Sequence, residues 1–333
     1  MGDMVTNSPT LGRWLTRWLD EVVTGAGSEA RPKTVANYRH MAILIDTAIG
    51  SVRLDALRAS HVRRLHTYIM REHPQRYGDG LGLSPSTAAT AQRVLSKALN
   101  DAIAEGLAAR NVAEQVDAPA NPKSREAKRY LTADEARVLL LSVSSDKRLA
   151  IRYSLALMLG LRQGEALGLR VDHVDVDAGT VTVEWQLQRI DAAPTNMRHR
   201  HVERDYYLTE VKTESGNRVL PMPPELAEMM AHYLNGRDGS EFVVWEGPRD
   251  ARADEREWKR ALADAGLPAV NLHSARHSKL TLLAKMGVRD NVRRRIAGHA
   301  SAKVTSEVYT HADAEDVRNA LAGMGALARE IEV

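Results

Sequence analysis

The residues of this chain best suited to chemistry lie near its end, between His273 and His311, in the runs HSARH, AGH and VYTH. His273 and Arg276 stand three residues apart, one turn of helix, so the two can share a face and aim at a single target. An imidazole beside a guanidinium suits a phosphate. A glycine-histidine pair, Gly298 and His299, follows, and Tyr309 comes ten residues after that histidine. Taken alone, H-x-x-R is an ordinary charged helix face. The stretch therefore needs partners from elsewhere in the chain.

Composition bounds what those partners can be. At 333 residues the chain is long enough for two domains, each with its own core. It has no cysteine, which excludes disulfides and thiolate metal sites and fits a reducing, cytoplasmic setting. No apolar run approaches the roughly 20 residues that cross a bilayer. The opening MGDMVTNSPT lacks the apolar centre of a signal peptide, so a membrane is not an expected partner. The net charge is only +3, but residues 1–129 hold 18 Lys and Arg against 13 Asp and Glu, whereas the remainder holds 28 against 30. The basic excess sits in the N-terminal part, as in a module that grips DNA, although a plain solvated surface carries as much.

The elements follow from periodicity. After ten loose residues, Leu11, Trp14, Leu15, Trp18, Leu19 and Val22 recur at helical spacing and predict an amphipathic helix with its tryptophans in a core. A second helix is expected from about Thr34 to Ala48, with Tyr38, Met41, Ile45 and Ile49 inward. A third runs from an N-cap at Ser60 to Glu72 and shows Arg63, Arg64 and Arg71 outward; a long one spans about Pro85 to Glu105. Such a set makes a small helical bundle over residues 11–118. Residues 119–129 read as a basic linker, with Lys123, Arg125, Lys128 and Arg129 placed for backbone phosphates.

A capping box, Thr132 with Glu135, opens a second domain. A buried helix from Lys147 to Leu159 ends at Gly160-Leu-Arg162-Gln-Gly164-Glu165, where the glycines let backbone turn and Arg162 sits at a helix junction. TVTVEWQLQRI, residues 180–190, alternates strictly and predicts one strand. The polar interval from Pro194 to Asp205 is read as loop, with His199 and His201 as loop residues and not an H-x-H metal pair. YYLTEVKTESGNRVLPMP predicts two strands of a hairpin around Ser-Gly-Asn, with Lys212 at its mouth. Helices fill the rest. The last carries an apolar stripe on Val317, Leu321, Met324, Leu327 and Ile331 that needs a partner surface. The fold class expected is mostly α with a small antiparallel β-sheet.

Collected in chain order, the polar residues at element ends are Arg162, Lys212, His273, Arg276, His299 and Tyr309. Here the sequence resembles the tyrosine recombinases of the phage integrase type. GLRQGE matches the family's first-arginine box, VKTESGNRVLPMP its lysine, HSARH its H-x-x-R, AGHAS its L-G-H-S box and VYTH its nucleophile. The chain departs from the usual pattern at Ala297, where leucine is common, and in the small residues of HSARH, where Asp-Leu is usual. These are packing differences.

The resemblance implies a helical core-binding domain at 11–118 after a flexible 1–10, a mixed α+β catalytic domain at 130–311, and a tail at 312–333 exchanged between protomers. It implies Tyr309 as nucleophile of a 3′-phosphotyrosyl intermediate, Arg162, Arg276 and His299 on the scissile phosphate, His273 as base and Lys212 as acid. Glu165 is expected to orient Arg162 or His273. Neither cofactor nor metal is implied. The expected partner is double-stranded DNA at core-type attachment sites, bound by a homo-tetramer with accessory bending or directionality proteins, in the cytoplasm and nucleoid of a bacterial host. With ten residues before the first helix, arm-site binding is not expected. A type IB-like topoisomerase, or a DNA-binding protein of this fold without turnover, are the alternative readings.

Overall fold

The computed structural model describes residues 8–25, 27–75, 80–120, 129–191, 193–211, 216–297 and 311–328. The chain divides into two compact units, residues 1–127 and 128–333. Among the described residues no helix is long and apolar enough to cross a membrane.

The first unit is helical. Helix α1 (Leu11–Arg17) starts at Thr10, whose hydroxyl accepts the Arg13 N–H, and runs into a π-helical turn, Trp18–Val23. Trp14 and Trp18 are buried as expected, and each indole N–H finds an acceptor: the Ala98 carbonyl at 2.8 Å and the Asp101 carboxylate at 2.7 Å. Val22 is not inward. The Thr24 N–H reaches back five residues to the Leu19 carbonyl, and this wider turn rotates the chain so that Val23 (4 % exposed) takes the core place while Val22 (38 %) faces out.

Helix α2 (Pro32–Ile49) begins two residues earlier than expected, because Pro32 presets the first-turn φ and lacks the N–H that would go unpaired there. Its Tyr38 stacks on Trp18 with centroids 5.4 Å apart. Helix α3 (Ala59–Thr67) is capped at Arg58, not Ser60: the His61 ring accepts the Arg58 N–H at 3.1 Å. A second π-turn, Tyr68–Glu72, continues it. Helix α4 (Pro85–Ala104) starts at the Ser84 cap and crosses the core on Val94, Leu95, Ala98 and Leu99.

In the second unit, α5 (Ala133–Ser142) starts with the Thr132–Glu135 capping box. Helix α6 (Lys147–Leu157) is the central element, buried on nearly every side, and ends two residues before the expected Leu159. One of its buried side chains is Arg152, paired bidentately with Asp254 at 2.9 and 2.8 Å. Removing one member of such a pair leaves a charge without water or partner. Asp254→Ala is expected to destabilise the unit by about 3–5 kcal/mol in chemical denaturation, and Arg152→Met combined with Asp254→Leu to recover most of that loss. Helix α7 (Gln163–Leu167) follows.

The strands are β1 (Val174–Asp175), β2 (Thr180–Val183), β3 (Trp185–Arg189), β4 (His199–Glu203), β5 (Tyr206–Glu210) and β6 (Arg218–Pro221). They form two antiparallel three-stranded sheets, ordered β1-β2-β6 and β3-β5-β4. The single strand expected over 180–190 is thus two strands in different sheets. Its alternation runs unbroken across the junction, since Val181, Val183, Trp185 and Leu187 are all buried, so nothing in its own pattern marks the change. What changes is the partner. Val183 stands opposite Arg218 of β6, whereas Trp185 stands opposite Glu210 of β5.

For the same reason the expected hairpin is corrected: β5 and β6 exist but pair with β3 and β2, not with each other. The interval from Pro194 to Asp205 holds strand β4, where His199 and His201 flank the Tyr207 ring. Because its side chains are mostly exposed and polar, this strand carries no apolar period to read.

Helices α8 (Pro224–Leu234), α9 (Ala251–Asp264), α10 (Leu272–Lys285), α11 (Asp290–Ala297) and α12 (His311–Ala322) complete the unit, with a 3₁₀ turn at Gly323–Leu327. The terminal stripe finds its surface within the chain. Val317, Leu321, Met324 and Leu327 are buried in the unit's own core, where α12 packs by β6 and the 3₁₀ turn by α5 and α8. The Arg137 guanidinium adds a bond to the Ala326 carbonyl at 3.4 Å. Ile331 lies outside the described residues.

Candidate active site

The site grows from the end of α6. Gly160 adopts φ +65°, the left-handed conformation that closes a helix at little cost only for glycine, and the Leu161 N–H reaches back to the Leu155 carbonyl at 3.0 Å. This turn delivers Arg162 to the N-cap of α7. There Glu165, three residues on, accepts both the Arg162 backbone N–H (2.9 Å) and its guanidinium (2.6 Å). The carboxylate is 2 % exposed, and it also receives Arg218 from β6 at 2.9 and 3.3 Å. Glu165 therefore fixes two arginines at once, while Arg162 keeps 38 % of its side chain open to solvent.

Helix α10 closes the other side. Asn271 caps it by accepting the Ser274 N–H at 2.8 Å. Buried Arg276 donates to the Gly160 carbonyl at 2.7 Å, two residues before Arg162, so the two sequence-predicted arginines converge on one turn. Three residues later buried Lys279 donates to the Leu159 carbonyl at 2.6 Å. His273 lies exposed on the same helix face, its ring 4.9 Å from that of His277 in an edge-to-face contact.

The electrostatics are those of an anion site. Burial by itself raises the Glu165 carboxyl, but Arg218 and then Arg162 outweigh it and hold the group down at about 2. Burial, with the like charges of Arg162 and Arg218, lowers Arg276 to about 10 against the opposing pull of Glu165, leaving it charged at neutral pH. A second anion between the arginines would relieve this strain.

Because Glu165 is depressed from an ordinary 4.5, its stabilisation is complete above that value and fades as pH falls toward 2. Glu165→Gln should therefore cost about 3 kcal/mol at pH 7, with the gap to the parent narrowing between pH 5 and pH 3 in denaturant titrations.

Of the other sequence-predicted residues, Lys212, His299 and Tyr309 lie outside the described residues, as do Lys123, Arg125 and Lys128. Arg63 is exposed on α3; Arg64 is tied to Glu72, and Arg129 to Glu135 at 3.0 Å. Sequence reasoning missed Arg218 and Lys279. The signal for Lys279 was present, since 273, 276 and 279 repeat at one turn. Arg218 is legible only once β6 is paired with β2, beside α7.

Residues 129–316 match the phage integrase family. An integrase of Saccharopolyspora erythraea is 25% identical over 369 residues, covering 94% of this chain and 81% of the relative. Tyrosine recombinase XerD of Mycobacterium leprae is 31% identical over 233 residues, covering 67% of this chain and 68% of the relative. Among solved structures, the integrase of transposon Tn1549 in complex with transposon right end DNA superposes with a TM-score of 0.70 at 21% identity, over 89% of this chain and 96% of that one. The last likeness concerns the fold; the family match covers more than half of the chain and includes the Arg162 turn, β6 and α10. The chain belongs to the phage integrase family, the tyrosine-type site-specific recombinases.

Proposed function

We propose that the chain cleaves and rejoins DNA strands at core-type attachment sites, integrating or excising a phage or mobile element through a 3′-phosphotyrosyl intermediate. The observation that carries this reading is the convergence of Arg162 and Arg276 on the Gly160 turn, with Glu165 buried behind them. Two guanidiniums so placed suit the two non-bridging oxygens of one phosphate, where charge builds in the transition state.

In this reading the Tyr309 oxygen attacks phosphorus while His273 takes the phenol proton. The P–O5′ bond breaks, and Lys212 supplies a proton to the departing 5′ oxygen. His299 donates a hydrogen bond to a non-bridging oxygen. The covalent link keeps the phosphodiester's energy for rejoining, and reversal with a 5′ hydroxyl from the partner duplex exchanges strands.

The wider assignments follow the same reading. Residues 11–118 hold core-type DNA, Arg63 and Arg64 among the contacts; 119–129 track backbone phosphate through Lys123, Arg125, Lys128 and Arg129; 130–311 perform the chemistry. A homo-tetramer assembles on paired sites, in which the 312–333 tail leaves its own unit for a neighbour's. Accessory bending or directionality proteins assist, and the work is done on DNA in the cytoplasm and nucleoid of a bacterial host. Phosphate contacts make binding strongly salt-dependent.

Supercoiled plasmids bearing two matched attachment sites, one, or none separate this from a topoisomerase. Exchange products only with the matched pair support the reading. Equal relaxation of all three plasmids without exchange contradicts it.

A further inference from the structure

Lys279 lies one turn beyond Arg276 and two beyond His273 on α10. It is 1 % exposed, yet among the described residues it forms no salt bridge; its bond goes to the Leu159 carbonyl. Burying an ammonium without a counter-charge costs several kcal/mol. Burial first, then Arg218 and Arg276, lower its pKa well below that of an ordinary lysine, with Glu165 opposing.

A chain that needed only to fill this space would be served by leucine or methionine, at no such cost. What the amine adds is a donor. The carbonyls of Leu159 and Gly160 follow the end of α6, where backbone acceptors have no helical partner. Lys279 takes the first and Arg276 the second, so α10 grips two successive carbonyls just before Arg162. The fit is close: a Cβ on Gly160 would stand 2.7 Å from the Lys279 Cδ.

We propose that Lys279 is a positioning residue for the phosphate site: by hydrogen-bonding the Leu159 carbonyl beneath Gly160, it locks the turn presenting Arg162 to the helix presenting Arg276, so both guanidiniums meet one phosphate. The proposal rests on the recombinase reading above. The charged groups facing the amine are Arg218 from β6, Glu165 from α7 and Arg276 from its own helix. Its donor bond to the Leu159 carbonyl orders the turn from within the core.

The test is Lys279→Met, of similar length but unable to donate, measured on a nicked attachment-site duplex for affinity, rate of covalent capture and thermal unfolding. Affinity should stay within about threefold of the parent, and capture should fall about 10- to 100-fold, as misplacement of transition-state donors does. On the same duplex with a methylphosphonate at the scissile position, one charged oxygen is gone and the loss should shrink below about threefold.

Capture within threefold of the parent on ordinary phosphate overturns the proposal. So does an equal loss on both substrates, or a proportionate loss of binding and capture, since a purely structural lysine would give these. If the methionine variant loses its cooperative transition, Lys279→Gln is measured by the same criteria; loss of folding in both assigns Lys279 to the scaffold and also overturns the proposal. The parent separates the two levels of inference. No capture by the parent contradicts the recombinase reading, whereas normal parent capture with an unaffected variant contradicts only the role of Lys279.

Discussion

Tyr309→Phe is expected to abolish covalent capture of a nicked attachment-site duplex, a loss on the order of 10⁴-fold or more, or at least about 5.5 kcal/mol in the barrier. DNA affinity should stay within about twofold. The asymmetry follows from the proposed chemistry: there the hydroxyl supplies the attacking atom, while the change removes none of the proposed phosphate contacts. Gel-resolved protein–DNA adducts and equilibrium binding on one substrate check both halves. A phenylalanine variant that still exchanged strands would move the nucleophile elsewhere.

Arg276→Lys carries the second largest expected effect. Its guanidinium already spends one N–H on the Gly160 carbonyl and, in the proposed reading, turns others toward the phosphate. A lysine ammonium is a point charge without that fork, so it cannot hold the turn and pair with two oxygens in one geometry. Single-turnover capture should fall about 10²- to 10³-fold, the usual cost of a lost transition-state donor. Affinity should change far less, because one phosphate contact among many is altered. Arg162→Lys should be milder in its effect on folding than Arg276→Lys, since Arg162 is held by Glu165 near the surface and Arg276 is buried.

The parts of this protein that announce themselves in sequence are those whose own residues repeat. Trp14, Leu15 and Trp18 name a helix face, Thr132 and Glu135 name a helix start, and the Arg162 turn is marked by Gly160 and Glu165. The misreadings arise where the deciding fact lies in another segment. The run from Thr180 to Gln188 alternates polar and apolar, yet it splits because its first half pairs with β6 and its second with β5. The apolar stripe on Val317 and Leu321 could equally await another protomer or its own core, and its packing by β6, α5 and α8 comes from segments far away in the chain. Val22 fails for a smaller reason, one π-turn that shifts the helical phase.

The site divides the same way. His273 and Arg276 share a helix, so their spacing predicts their common face. Arg218 serves Glu165 only through the pairing of β6 with β2, and no local pattern in NRVLP says so. Lys279 sat in plain view one turn past Arg276, but a lysine at helical spacing is ordinarily a solvated one. Its burial against Leu159 is a tertiary fact.

The central claim is that a tyrosine oxygen of this chain becomes bonded to a DNA 3′ phosphate. A duplex carrying an attachment site and a nick beside the crossover traps that bond by releasing a short 5′ fragment; digestion and mass spectrometry then locate the adduct. One modified peptide is expected, spanning Tyr309 and attached to the 3′ phosphate. An adduct on another residue, attachment to a 5′ phosphate, or strand exchange with no covalent species would contradict it.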